Sequence, residues 1–256
     1  MSKEHGKKYS HLYGPVPSRR LGSSLGVDIV PYKICSYDCI YCQLGRTTRL
    51  TSRPEQLINA SDIISEIKQW LTEGGTADYI TFAGSGEPTL NADLGEMIMA
   101  TKNITDIPIA VITNGSIFSK PDIIKAVSMA DVILPSLDAG TEETFHIINR
   151  PDSEITFHEM IEGLIKGSQE YKGEIWLEIM LVRGINDSES EILAIRDIIR
   201  QICPDKLQIN TVERPSRSGE VTRVSDEKLK KACEILGESA EIITGSLTTH
   251  TNELQW

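Results

Sequence analysis

Three cysteines, Cys35, Cys39 and Cys42, stand in a C-x3-C-x2-C spacing near the start of the chain. Thiolates this close together point to a metal centre, and their number decides which kind. A cubane iron–sulfur cluster has four irons and normally takes four cysteines. The other two cysteines, Cys203 and Cys233, fall singly in predicted helices far downstream. Three ligands leave one iron open, and an open coordination position is where a metal centre does chemistry, as in catalytic rather than structural zinc sites. A structural zinc site wants a fourth Cys or His at short spacing, and His11 is well upstream. A disulfide framework fits poorly with a compact triplet and an odd count of five cysteines.

The 256 residues are enough for one barrel or one large α/β domain. Composition is that of a globular protein, 39% hydrophobic and 25% charged. No apolar run approaches the roughly 20 residues needed to span a bilayer. The opening residues lack a secretory pattern, so a cytoplasmic protein with no membrane partner is expected. A net charge of -11 argues against a surface that grips nucleic acid all over. Arginines nevertheless gather in loops: Arg19, Arg20, Arg46, Arg49, Arg53, Arg150, Arg183, Arg214, Arg217 and Arg223. If those loops share one end of the fold, they form a basic mouth suited to an anionic substrate or a reduced electron-donor protein. The same pattern also fits ordinary solvated loop charges.

Residues 1–18 are polar, then rich in Gly and Pro, and read as an extended N-terminal arm. A first strand spans 24–30 and carries Asp28, which needs either an arginine such as Arg19 or Arg20, or a polar lumen. Over 62–73, Ile63, Ile64, Ile67, Trp70 and Leu71 share a helical face, with Ser61 as N-cap. Strands at 78–83, 107–113, 131–137, 175–182 and 206–212 then alternate with helices. Capping boxes at Thr156/Glu159 and Ser188/Glu191 open two of those helices. Six βα units joined by right-handed crossovers make a parallel sheet, and six are too few to close an eight-stranded barrel. The expected fold is α/β, an open partial (βα)6 TIM-like barrel over 19–215, followed by a C-terminal helical extension over 216–256. A doubly wound sheet is the alternative.

Chemistry in parallel α/β folds sits at the carboxyl ends of the strands. Each expected strand end here carries a polar or Gly-rich motif. These are the cysteine loop, Gly84-Ser85-Gly86-Glu87-Pro88, Thr113-Asn114-Gly115, Ser136-Leu137-Asp138, Leu181-Val182-Arg183-Gly184 and Asn210-Thr211-Val212-Glu213-Arg214-Pro215.

The cysteine loop resembles that of the radical S-adenosylmethionine (SAM) superfamily, and Gly84 to Pro88 resembles its GGEP element with an added serine. The resemblance implies a 4Fe-4S cluster on Cys35, Cys39 and Cys42, with the methionine end of SAM on the open iron. It places Tyr41 on the adenine, and it places Gly84, Ser85, Gly86, Glu87 and Pro88 around the methionine, with Glu87 accepting from the α-ammonium. Thr113, Asn114, Ser136 and Asp138 fall where the family holds ribose and methionine, and Glu178 and Asn210 are further cofactor candidates. Longer stretches, among them residues 13–22, Pro135-Ser136-Leu137-Asp138-Ala139-Gly140 and Ile148-Asn149-Arg150-Pro151, look like small radical SAM proteins related to the archaeal tRNA-wyosine synthases. Those synthases bind a second cluster and use a lysine Schiff base. Here no cysteine precedes Cys35 and no lysine maps to that role, although Lys33 lies near the loop, so the substrate does not carry over.

The activity implied is reductive cleavage of SAM to a 5'-deoxyadenosyl radical that abstracts hydrogen from a substrate. That substrate is a nucleotide or tRNA base, or else a peptide or small anionic metabolite. Arg19, Arg20, Asp28, Asn149, Arg150, Arg183 and Arg214 are candidates for contacting it, and a reduced flavodoxin- or ferredoxin-type protein is the expected electron donor. The rival reading is a non-catalytic iron–sulfur or zinc protein. The five histidines form no close pair and take no role.

Overall fold

The computed structural model describes residues 8–213 and 221–243. Strand β1 (Leu12–Ser18) turns back onto β2 (Gly22–Val27) as an antiparallel hairpin, and β3 (Ile34–Cys35) pairs with β4 (Arg49–Leu50) around the cysteine loop. Then follow α1 (Ala60–Thr72), β5 (Tyr79–Phe82), a 3-10 turn at Pro88–Leu90, α2 (Leu94–Lys102) and β6 (Ile109–Thr113). Next come α3 (Pro121–Val127), β7 (Val132–Pro135), α4 (Glu142–Ile148), α5 (Phe157–Glu170) and β8 (Glu174–Leu181). The order closes with α6 (Glu189–Ile202), β9 (Lys206–Thr211), α7 (Asp226–Leu236) and β10 (Ala240–Ile242).

The main sheet runs β1-β2-β5-β6-β7-β8-β9-β10, and every pairing from β2 to β10 is parallel. This is the expected open (βα)6 barrel, with one further strand at each edge. Residues read as an extended arm form β1, where Pro15 and Pro17 are tolerated because an edge strand has a neighbour on one side only. At the other edge β10 adds a parallel strand after α7. The sheet does not close, but Arg19 Nη1 donates to the carbonyl of Ile243, just past β10, at 3.0 Å and joins the two edges.

The outward faces of the strands, including Leu25, Val27, Ile80, Phe82, Ile109 and Val111, bury under the helices against Ile63, Ile67, Met97, Ile98 and Val127. Inside the barrel a second apolar group, Leu21, Ala110, Val132, Leu134 and Trp176, fills the lumen toward the amino ends of the strands. With both faces covered, the central strands read as continuous apolar runs. Helix α1 starts two residues earlier than its periodicity implied: Asn59, not Ser61, is the N-cap, and its side chain makes no capping hydrogen bond. Thr156 and Ser188 cap α5 and α6 as their sequence boxes indicate. Glu191 completes its box differently, because its carboxylate accepts from the amides of Gly140 (2.6 Å) and Thr141 (3.2 Å) at the start of α4. Among the described residues no helix is long and apolar enough to cross a membrane.

Phe82 has no exposed surface and belongs to the apolar layer between the sheet and its helices. Phe82→Ala leaves a cavity there and should cost about 3–5 kcal/mol, read as a lower midpoint in urea unfolding.

Candidate functional site

The three thiols are half-buried and unbridged in a loop that follows β2. That loop has little regular structure, so its backbone is paired from outside. On one side residues 148–152 form a strap: the amide of Asp38 donates to Asn149 O (3.0 Å), that of Ile40 to Ile148 O (3.0 Å) and that of Asp152 to Ser36 O (2.9 Å). Arg150 turns this strap with a φ of 45°, a conformation uncommon outside glycine. On the other side the turn after β5 forms a shelf, where the Lys33 amide donates to Ser85 O (2.7 Å) and the Glu87 amide to Ile34 O (3.1 Å). A Cβ at Gly86 would lie 2.0 Å from Ile34 O, and one at Gly84 would lie 2.4 Å from Asp28 Cγ. The glycines of this turn therefore admit protein backbone and the Asp28 side chain.

Two buried carboxylates organise the strand ends. Glu87 Oε1 accepts from the Thr89 amide (3.1 Å) and from the hydroxyls of Thr89 and Thr113 (2.6 Å each), and Oε2 accepts from the Asn114 amide (2.7 Å). Asp138 Oδ2 accepts from the Tyr41 hydroxyl (2.5 Å) and Asn149 Nδ2 (2.8 Å), and Oδ1 from the Met180 amide (2.9 Å). Burial pushes both carboxyls above their usual range, and these hydrogen bonds oppose it. Burial also raises the thiols, Cys35 to about 11 with help from the charge of Glu87, and Cys39 well above its ordinary value. Asn114 Nδ2 donates to Cys35 Sγ and Asn149 Nδ2 to Cys39 Sγ, each at 3.6 Å. The Lys33 ammonium donates to Thr47 Oγ1 (3.3 Å). Burial lowers its pKa, but the neighbouring sulfurs, Cys42 foremost, leave it raised overall.

A cavity of about 260 Å³ opens beside the loop, lined by Arg19, Arg20, Tyr41, Gln43, Ser136, Asp138, Glu178, Met180 and Asn210. Across it Arg20 forms an ion pair with Glu178, which also accepts from Asn210 Nδ2 at 2.6 Å. A second cavity, of about 490 Å³, has Cys39 and Cys42 in its wall together with Tyr32, Arg46 and Arg150.

The structure thus brings Tyr41, Ser136, Asp138, Glu178, Asn210, Arg19 and Arg20 to one cavity. The Gly84-to-Pro88 turn, Thr113 and Asn114 instead bind the cysteine loop and one another, and the Glu87 carboxylate, 2% exposed, spends its acceptors on the protein. Asp28 makes no ion pair with Arg19 or Arg20; it accepts from the Ser85 amide (3.0 Å) and hydroxyl and lines a separate cavity of about 780 Å³ beside β1. Asn149 is buried, with its amide on Cys39 and Asp138. Arg183 is exposed after β8, its amide donating to Thr222 O at 3.2 Å, and Arg214 lies outside the described residues. The basic mouth is largely neutralised, since Arg46 faces Asp38, Arg49 pairs with Glu55, Arg53 with Glu154 and Arg223 with Asp226. Gln43 and Met180 in the cavity wall lie in stretches that the sequence reading quoted for its family resemblance but to which it gave no role.

Among the described residues no three Cys, His, Asp or Glu side chains converge as a single metal ion requires. The donor set fits a cluster instead: three unbridged thiols on one loop, with N–H donors on two of the sulfurs.

Comparison with known proteins agrees. The family model of the radical SAM superfamily matches residues 29–194. Over 225 residues, 88% of this chain, the sequence is 44% identical to a GTPase Obg of Brachyspira hyodysenteriae, but it spans only 33% of that protein. It is 34% identical over 228 residues to UPF0026 protein MJ1312 of Methanocaldococcus jannaschii, covering 88% of this chain and 71% of the relative. A more distant relative is the dual-specificity RNA methyltransferase RlmN of Buchnera aphidicola, 27% identical over 68% of this chain and 50% of that one. Among solved structures, TYW1 with a lysine-pyruvate adduct bound shares the fold, with a TM-score of 0.65 at 17% identity over 85% of this chain and 74% of that chain.

Glu87→Gln keeps the volume but turns an amide N–H₂ toward the Asn114 amide or the three donors opposite. The unsatisfied buried donor should cost about 1–3 kcal/mol, measured by chemical denaturation of the metal-free protein; an unchanged midpoint would show that the carboxylate does not organise the strand ends.

Proposed function

This chain belongs to the radical SAM superfamily, and we propose that it is an enzyme of that class with residues 19–215 as its catalytic core. Cys35, Cys39 and Cys42 would hold a 4Fe-4S cluster, and SAM would bind beside it in the adjoining cavity. Together these cofactors supply reductive cleavage of SAM and a 5'-deoxyadenosyl radical that abstracts hydrogen from the substrate. The observation that carries the reading is the loop of three unbridged thiols set beside a polar cavity at the carboxyl ends of the strands.

The chain's own groups position and shield. Asp138 fixes the ring of Tyr41 at the cavity wall, where it can face an adenine. Ser136 and Asn210 offer polar groups to a ribose or amino-acid moiety. The apolar group of Leu21, Val132, Leu134 and Trp176 closes the lumen toward the amino ends of the strands and excludes water from that side.

For the substrate, a nucleotide or RNA base is supported by Arg19 and Arg20 in the cavity wall and by the RNA methyltransferase among the relatives. A peptide or small anionic metabolite is the second reading, favoured by the pairing of the outer arginines with carboxylates, which leaves little footprint for a phosphate backbone. A reduced flavodoxin- or ferredoxin-type protein delivers the electron from the side of the outer cavity, where Cys39 and Cys42 are reached past the exposed Arg46. Unbridged thiols suit a reducing cytoplasm.

Anaerobic reconstitution should give about four irons and matching sulfide per chain, and dithionite with SAM should release 5'-deoxyadenosine. Serine at Cys35, Cys39 or Cys42 should abolish both, whereas Cys203→Ser and Cys233→Ser should leave the iron content unchanged. One bound zinc without sulfide, or no nucleoside product, refutes the assignment. If RNA is the substrate, its affinity should fall steeply between 50 and 200 mM salt, and a flat response removes RNA.

A further inference from the structure

We infer that Asn114 and Asn149 are positioning residues that set how readily the metal centre accepts an electron, each donating an amide N–H to a ligand sulfur. The inference rests on the cluster reading above. The two donors arrive from different parts of the fold, Asn114 from the end of β6 and Asn149 from the C-cap of α4, and both reach 3.6 Å from a sulfur, Cys35 and Cys39 respectively. An amide nitrogen carries two hydrogens, and in both residues the second hydrogen has an acceptor of its own. Asn114 Nδ2 also donates to Ser36 Oγ (2.8 Å) while its Oδ1 accepts from the Ser116 amide (3.0 Å), and Asn149 Nδ2 also donates to Asp138 Oδ2 (2.8 Å). With both hydrogens engaged, neither nitrogen has a donor left for a cofactor or substrate.

Reduction adds negative charge to a cluster and its thiolates. Donors aimed at the sulfurs stabilise the reduced form more than the oxidised one, and hydrogen bonds to sulfur are among the factors that set cluster potentials. The effect is stronger where water is scarce, as it is at Asn149, which is 3% exposed. Removing either donor should therefore make the centre harder to reduce.

The test is an EPR-monitored redox titration of the reconstituted full chain, without SAM. Asn114→Ala and Asn149→Ala should each lower the midpoint potential, a tenfold loss in the reduced-to-oxidised ratio reading as about 59 mV for one electron. The double variant should fall by roughly the sum. Ser36→Ala removes the other partner of Asn114 but leaves its bond to Cys35, so it should stay near the unaltered midpoint. Unshifted midpoints in variants with full iron and sulfide, or a Ser36→Ala shift as large as that of Asn114→Ala, overturn the inference. Should a variant lose its cluster, unaltered protein labelled with nitrogen-15 asparagine decides: pulsed EPR of the reduced cluster should detect the labelled nitrogens, and no coupling refutes the proposal. If the unaltered chain assembles no cluster, the functional assignment itself fails, and this inference with it.

Discussion

A loop that holds three thiols together has little helix or strand of its own, and each of its buried N–H and C=O groups still needs a partner. Here the partners come from two flanks: the 148–152 strap holds the backbone of residues 36–40, and the turn after β5 holds residues 33–34. Other local features follow from that arrangement. Gly86 is where the shelf touches the Ile34 carbonyl too closely for any side chain. Arg150 takes a left-handed conformation because the strap must reverse within reach of the loop. The order of the thiols is a property of three chain segments together.

Charge burial follows the same logic. Glu87 and Asp138 sit at strand ends with almost no exposed surface, which is tolerable because each is ringed by donors. Glu87 ties the turn after β5 to the end of β6, and Asp138 ties the end of β7 to β8, to Tyr41 in the cysteine loop and to Asn149 in the strap. These acids are framework for the site. Arg20 and Glu178 neutralise one another across the cavity, so its polarity comes without a large net charge. The apolar packing of Leu21 and Trp176 confines that polarity to one end of the barrel.

Much of this was legible in the sequence. Period-2 and period-3.6 patterns located the six central strands and their helices, and the cysteine spacing singled out the loop after β2. The edge strands escaped because β1 carries Gly14, Pro15 and Pro17, which read as breakers, and β10 is a three-residue strand with no pattern to detect. Motif residues were found more reliably than their partners. Glu87 and Asn149 stood out as ligand contacts, yet their hydrogen bonds run to Thr113, Asn114, Asp138 and Cys39, pairings that only tertiary structure creates. Nothing in the local sequence announces that the lysine between Tyr32 and Ile34 will be buried.

The strap has a consequence for how the protein is made. Spatial strand order in the main sheet follows chain order, so the sheet can grow at one edge as each strand leaves the ribosome. The cysteine loop cannot be finished that way. Cys39 and the Asn149 that braces it are 110 residues apart, and at about 5–20 residues per second the ribosome takes about 5–20 s to bridge that gap. During that time the nascent chain displays three loosely held thiols, open to oxidation and to whichever soft metal arrives first. A centre built on those thiols would therefore take its final shape only after the second half of the barrel has been made.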